Sequence, residues 1–175
     1  MLTNRSPVEG VLDLELILAV NMIEQVLKIL HEKLDNEFIV VGGWSFLFNK
    51  IYKEYDRKEI DIIYTDRSKI RKLNKKDIKE MNFRERHHYP KTFSGSIIEQ
   101  KANANICGIT VDGYVMKNAE TLNFDIKNIY NMPIKVANVD YYKWFYNKFD
   151  FDNNWEWSAK FRDKMIEKQK LVNTL

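Results

Sequence analysis

The sequence predicts an α/β (α+β) fold, a mixed β-sheet with flanking helices and a helical C-terminal portion. Three observations carry this expectation. Leu16, Val20, Ile23, Leu27, Leu30 and Leu34 form an apolar stripe of helical period near the start. Short β-branched runs follow, bounded by glycine or by charged turns. Two stretches of helical period close the chain. With 175 residues, the chain suits one domain spanning 1–175, with a core over about 12–137 and a helical portion over about 138–175.

Taken in order, residues 11–34 read as an amphipathic helix with Glu15, Glu24, Lys28 and Glu32 off the apolar stripe. Phe38–Val41 reads as a buried strand that stops at Gly42-Gly43. A short helix over 44–52 would turn Trp44, Leu47, Phe48 and Ile51 inward. After a charged turn at Lys53–Arg57, Lys58–Tyr64 is a second strand, and Asp66 or Ser68 can cap a following helix. Asn74–Phe83 has the pattern of a short basic helix, and residues 84–95, with His87-His88, that of a loop or edge strand. Ser96–Lys101 and Ile106–Met116 read as strands joined by a turn over Ala102–Asn105, and Ile134–Val136 as a further strand. Asp140–Phe149 and Trp155–Val172 are the closing helices, separated by Asp150–Asn154.

Composition removes several classes of function. The 45% hydrophobic and 13% aromatic content excludes disorder over most of the chain, and six Gly with three Pro exclude collagen-like or linker-rich architectures. A single cysteine, Cys107, excludes an internal disulfide framework and a multi-cysteine zinc site. Its neighbours Ile106 and Ile109 point to a small core hydrophobe. The expectation is a soluble cytoplasmic protein with no signal peptide, no transmembrane helix and no membrane partner. A charge of +3 is too mild to demand nucleic acid. The basic runs Lys69–Lys79 and Lys160–Lys170 are interrupted at helical spacing and read as solvated helix faces. The aromatic run Tyr141, Tyr142, Trp144, Phe145, Tyr146, Phe149 and Phe151 reads as core.

Three features carry chemistry. On a strand, Glu59 and Asp61 project from one face about 7 Å apart, with Ile60 and Ile62 on the other. Adjacent carboxylates repel unless a cation neutralises them, and hard oxygen donors suit Mg²⁺. Gly42-Gly43 closes a strand and opens a helix, leaving backbone N–H groups that can bind phosphate, with Ser45 as a further donor. Asp112 lies in the apolar run Gly108–Val115, where an unpaired carboxylate is costly to bury. Alternatively, it starts a turn with Gly113.

In that order, Val41-Gly42-Gly43, Glu59-Ile60-Asp61-Ile62 and Val111-Asp112 resemble the nucleotidyltransferase superfamily of the DNA polymerase beta type. The likeness is to its small members, the lincosamide and aminoglycoside nucleotidyltransferases and the toxin nucleotidyltransferases of abortive-infection systems. It covers roughly residues 12–116. The resemblance implies that Glu59, Asp61 and Asp112 hold two Mg²⁺ ions. A nucleoside monophosphate would pass from a nucleoside triphosphate such as ATP to an acceptor hydroxyl on a small molecule, protein or RNA, releasing pyrophosphate. It assigns Gly42, Gly43 and Ser45 to the β- and γ-phosphates, Arg57 and Lys58 to further phosphate contacts, and Asp112 to deprotonation of the acceptor.

Three departures stand out: a longer stretch between Gly43 and Glu59, Arg57-Lys58 with no Ser or Thr before the carboxylate pair, and Glu rather than Asp at position 59. An inactive nucleotide- or partner-binding module of toxin–antitoxin type is therefore one alternative, and a nucleic-acid-binding protein another. A homodimer that completes the acceptor site, with Trp155 and Trp157 at the cleft or the contact, is a further expectation.

Overall fold

The computed structural model of the chain describes residues 7–51, 58–73, 78–80, 98–148 and 158–175. Arg57, His87, His88, Phe149, Phe151, Trp155 and Trp157 lie outside them. The helices are α1 (Pro7–Leu34), α2 (Gly42–Phe48), α3 (Ile70–Leu73), α4 (Val139–Tyr146) and α5 (Ala159–Val172). The strands are β1 (Phe38–Val41), β2 (Glu59–Tyr64), β3 (Ile78–Glu80), β4 (Ile98–Ile106), β5 (Ile109–Met116), β6 (Phe124–Ile129) and β7 (Met132–Ala137).

The strands form one mixed sheet in the order β3-β4-β5-β2-β1-β7-β6. β2 runs parallel to β5 and β1 parallel to β7, and the remaining neighbours are antiparallel. Alternation along each strand divides the side chains between two cores. On one face, Ile23, Val26, Leu27, Leu30 and Leu34 of α1 pack over Val40, Ile60, Ile62, Val111 and Val136. Each such buried aliphatic side chain contributes about 1.5–3 kcal/mol. On the other face, Ile39, Val41, Ile63 and Ala137 meet Phe46, Tyr141, Tyr142, Tyr146, Met165 and Val172. The carboxylates of β2 and β5 are on this second face, beneath α4 and α5.

Three sequence expectations are corrected. Ala102–Asn105 is strand; the turn is Cys107-Gly108, between the paired residues Ile106 and Ile109. Both turn residues have positive φ (52° and 79°), the backbone of a two-residue hairpin that twists with its strands. Cys107 is therefore exposed at a turn and is not a core residue. Within Asn74–Phe83, residues 78–80 are a strand, because pairing with β4 outweighs local helical pattern. β6 is also present, a polar edge strand with Ile126 exposed, joined to β7 through Tyr130-Asn131 with both φ positive. Its alternation Phe124-Asp125-Ile126-Lys127 is short, and sequence reading passed over it as part of a polar stretch.

Asp112-Gly113 lies inside β5 and makes no turn. Gly113 is instead required by packing: a Cβ there would overlap Cε2 of Tyr64, whose ring is 2% exposed and has nowhere to go. Gly113→Ala is expected to destabilise the protein by about 2–3 kcal/mol, the cost of overpacking a closed core. Thermal unfolding should show Tm lower by roughly 5–10 °C, and an unchanged Tm would refute the contact.

Candidate active site

The parallel pairing of β2 with β5 sets Asp61 directly beside Asp112, with Glu59 two residues away opposite Thr110. All three point to the same face, and one carboxylate oxygen from each lies within 4.8 Å of the others. Asp112 is 6% exposed. Its Oδ2 accepts a hydrogen bond from Lys101 Nζ at 2.7 Å, while its Oδ1 is buried without a hydrogen-bond partner. A buried carboxylate oxygen left unpaired is costly and calls for a cation or donor. Three hard oxygen donors at this spacing fit a divalent cation such as Mg²⁺.

Gly42 explains why the glycine turn and the carboxylates belong together. Its φ is +65°, and a Cβ there would run into the Asp61 carboxylate, with Cγ at 3.1 Å. The absence of a side chain is what lets Asp61 lie against the turn. Ser45 is fully buried, and its hydroxyl donates to the Gly42 carbonyl at 2.7 Å. Asn49 Nδ2 lies 2.8 Å from both the Ser45 and Ala137 carbonyl oxygens, and the Tyr142 hydroxyl donates to that of Ala137 at 2.6 Å. These bonds fix α2 to the end of β7 and to α4.

A cleft of about 370 Å³ opens over two of the three carboxylates, with Gly42, Glu59 and Asp61 on its sheet side; Asp112 and Lys101 do not line it. That volume falls in the range of small-molecule sites. Gly43, Ser45 and Lys58 are not among its lining residues, and Lys58 is exposed at the start of β2. The opposite wall comes from α4 and α5 and includes Tyr141, Phe145, Tyr146, Lys164 and Lys168. α4 is capped by the Asn138 side chain and α5 by the Ser158 hydroxyl. Asn147 and Asn173 exchange amide hydrogen bonds at 3.0 and 3.1 Å, and Gln169 donates to the Tyr146 carbonyl. These contacts hold the two helices together over the site.

Charge in the cleft is balanced across it. Burial, then repulsion from Asp112, pushes the Asp61 carboxyl up to about 6, against the opposing pull of Lys168, Lys101 and Lys164. Lys168 is 6% exposed, with its ammonium 5.7 Å from the ring centres of both Phe46 and Tyr146. Burial, with Lys164 adding repulsion, pulls it down to about 8.

The structure brings Glu59, Asp61 and Asp112 together and sets Lys101 and Lys168 near them, two lysines that sequence reading did not single out. The expectation that Lys160–Lys170 is wholly a solvated face is corrected at Lys168. The signal was available: Phe161, Met165, Lys168 and Val172 share one helical stripe, which puts a lysine among apolar residues. Lys101 was hidden by the turn expected just after it. The Lys69–Lys79 run is partly neutralised, since Lys69 pairs with Asp35 and Arg67, just before it, pairs with Glu99. Tyr141, Tyr142 and Tyr146 are core, as expected, and Tyr141 and Tyr146 also line the cleft. No helix among the described residues is long and apolar enough to cross a membrane.

No protein-family model and no curated protein sequence matches the chain. Among solved structures, a Thermotoga maritima protein named "putative nucleotidyltransferase" is similar at 14% identity and TM-score 0.44, over 86% of this chain and 92% of that one. This is a distant likeness.

Proposed function

We propose that the chain is a divalent-cation-dependent nucleotidyltransferase that moves a nucleoside monophosphate from a nucleoside triphosphate to an acceptor hydroxyl. The observation that carries this reading is the meeting of Glu59, Asp61 and Asp112, one of them with an orphaned buried oxygen, facing buried Lys168 across a cleft. Carboxylates on one side and ammoniums on the other suit a polyphosphate that arrives with a cation.

Glu59, Asp61 and Asp112 would hold the cation, which on binding supplies charge neutralisation and polarises phosphorus–oxygen bonds. Lys168 and Lys164 take the outer phosphates, with Lys168 already stripped of water and aimed into the cleft. The rings of Tyr141, Phe145 and Tyr146 give the base an apolar wall. Gly42, having no side chain, leaves room for phosphate beside Asp61. The acceptor oxygen attacks the α-phosphorus, the bond from that phosphorus to the bridging oxygen breaks, and pyrophosphate leaves. The hydroxyl's proton leaves to water, since both oxygens of Asp112 are engaged, Oδ2 by Lys101 and Oδ1 by the cation.

Calorimetric titration of each of the four nucleoside triphosphates, with Mg²⁺ and then with EDTA, tests the reading. At least one should bind with Mg²⁺ and fail to bind with EDTA. Lys168→Met should weaken that binding about tenfold, the loss of one charge-assisted hydrogen bond. Absence of Mg²⁺-dependent binding by all four would sink the proposal. The Lys101–Asp112 ion pair favours a second reading, a cleft that binds nucleotide without transferring it. Release of pyrophosphate in the presence of acceptor candidates separates the two.

A further inference from the structure

We infer that β6 pairs with the β6 of a second copy of this chain, antiparallel and about a two-fold axis at Ile126, so that one sheet runs through both copies. No residue of β6 lines the cleft, so this pairing stands apart from the nucleotide reading.

β6 is the outer strand on one side of the sheet, with β7 as its neighbour. An outer strand offers backbone donors and acceptors to any other strand, and a chain that stays alone guards such an edge with a short strand, a bulge, a proline or charge. β6 is six residues long, carries no proline and keeps an unbroken register with β7. The opposite edge, β3, is only the three residues Ile78–Glu80. In the middle of β6, Ile126 is 66% exposed, more than any other large apolar side chain among the described residues. Charge is what remains to guard this edge, in Asp125 and Lys127 on either side of Ile126.

The hairpin fixes which backbone groups face outward. β6 and β7 are joined by the two-residue turn Tyr130-Asn131 and closed by the pair Ile129 and Met132. The closing residues of such a turn are hydrogen-bonded to each other, and bonded pairs recur at every second residue. Ile129, Lys127 and Asp125 therefore bond to β7, and the N–H and C=O groups of Phe124, Ile126 and Asn128 point away from it.

Charge then selects one register. An axis at Ile126 sets that residue opposite its own copy and Phe124 opposite Asn128, so that the outward groups exchange hydrogen bonds. It also sets Asp125 of each copy opposite Lys127 of the other, in the closer, non-bonded kind of pair. Asp125 Oδ1 takes a hydrogen bond from the Asn138 amide at 3.3 Å, which leaves Oδ2 for that ammonium. An axis at Asp125 or at Lys127 would instead set like charges face to face. The charges that guard the edge against other strands thus complement this same edge in a second copy.

Sedimentation equilibrium on the full chain tests the pairing. Wild type should be dimeric at about 100 µM. A wild-type monomer at that concentration would overturn the inference, and this result needs no variant to fold. Lys127→Glu turns both attractive pairs repulsive and should raise the dissociation constant of the dimer about tenfold or more. Asp125→Lys should do the same, and the two changes together, which exchange the charges, should bring the dimer back. Arg71→Glu, the same reversal at an exposed residue of α3, should leave the dimer as it is. A dimer untouched by either single change would overturn the inference. So would weakening by both without recovery in the double variant, or equal weakening by Arg71→Glu.

Discussion

Asp61→Asn is expected to make the metal-free protein more stable and at the same time to abolish its cation-dependent nucleotide binding. The physical cause is burial of the Asp61 carboxyl, which pushes it up to about 6 in the folded chain from 3.8 for a free aspartate side chain. A folded state that holds a proton more tightly than the unfolded chain is fully favoured below the lower value. It loses that advantage as pH rises through the upper one. Above pH 6, folding therefore confines an ionised carboxylate in a poorly solvated place, at a cost on the order of 2–3 kcal/mol.

Asn removes the charge while keeping the shape. At pH 7.5 in EDTA the variant should unfold roughly 4–10 °C higher than wild type. At a pH near 4 the two should converge. The carboxyls of Asp35, Glu37 and Asp66, each held below the usual range by local hydrogen bonds, shift stability in the opposite direction with pH. They are common to both proteins and cancel in the difference. Added Mg²⁺ should raise the wild-type Tm at pH 7.5 and leave the variant unchanged. A variant less stable than wild type at pH 7.5 in EDTA would show that Asp61 is satisfied without a cation.

Gly42→Ala is expected to damage the site more than the fold. The left-handed backbone at φ +65° costs a residue with a Cβ about 1–2 kcal/mol. The larger effect is geometric, because the new methyl meets Asp61 Oδ2, the free end of a side chain that can rotate away. Rotation relieves the clash but removes a ligand from the triad. Tm should therefore fall by only a few degrees, while Mn²⁺ affinity falls at least about tenfold, the loss of 1.4 kcal/mol or more from the site. Gly43→Ala is the comparison, since Gly43 has no positive φ, and it should retain most of the affinity. Equal affinities in the two variants would refute the contact between turn and carboxylate.

Much of the fold was legible because period reports burial directly. The α1 stripe, the β-branched run of β1 and the alternation Glu59-Ile60-Asp61-Ile62 each state which side of an element leaves water. The core residues Ile23, Leu27, Leu30, Val40, Ile60 and Ile62 are indeed fully buried. The signal failed where pairing, not burial, makes the element. Residues 78–80 and β6 are edge strands held by their neighbours' hydrogen bonds, so their own side chains need no apolar pattern. The β4–β5 turn was misplaced because Cys107-Gly108 lacks the polar residues that usually mark one, while Ala102–Asn105 has them.

The sequence by itself determined the chemistry on offer: two carboxylates on one strand face, a third in a later strand, and a glycine turn before them. It could do so because strand alternation and glycine's conformational range are local properties. Only the tertiary structure decided that the three carboxylates meet, since that depends on β2 and β5 pairing in parallel with Asp61 beside Asp112. The same holds for the cations that face them. Lys101 reaches the triad across a strand pair, and Lys168 reaches the cleft because α5 packs over the sheet with its apolar stripe inward. Long-range pairing of this kind is set by the net burial of the whole core, which no short window of residues contains.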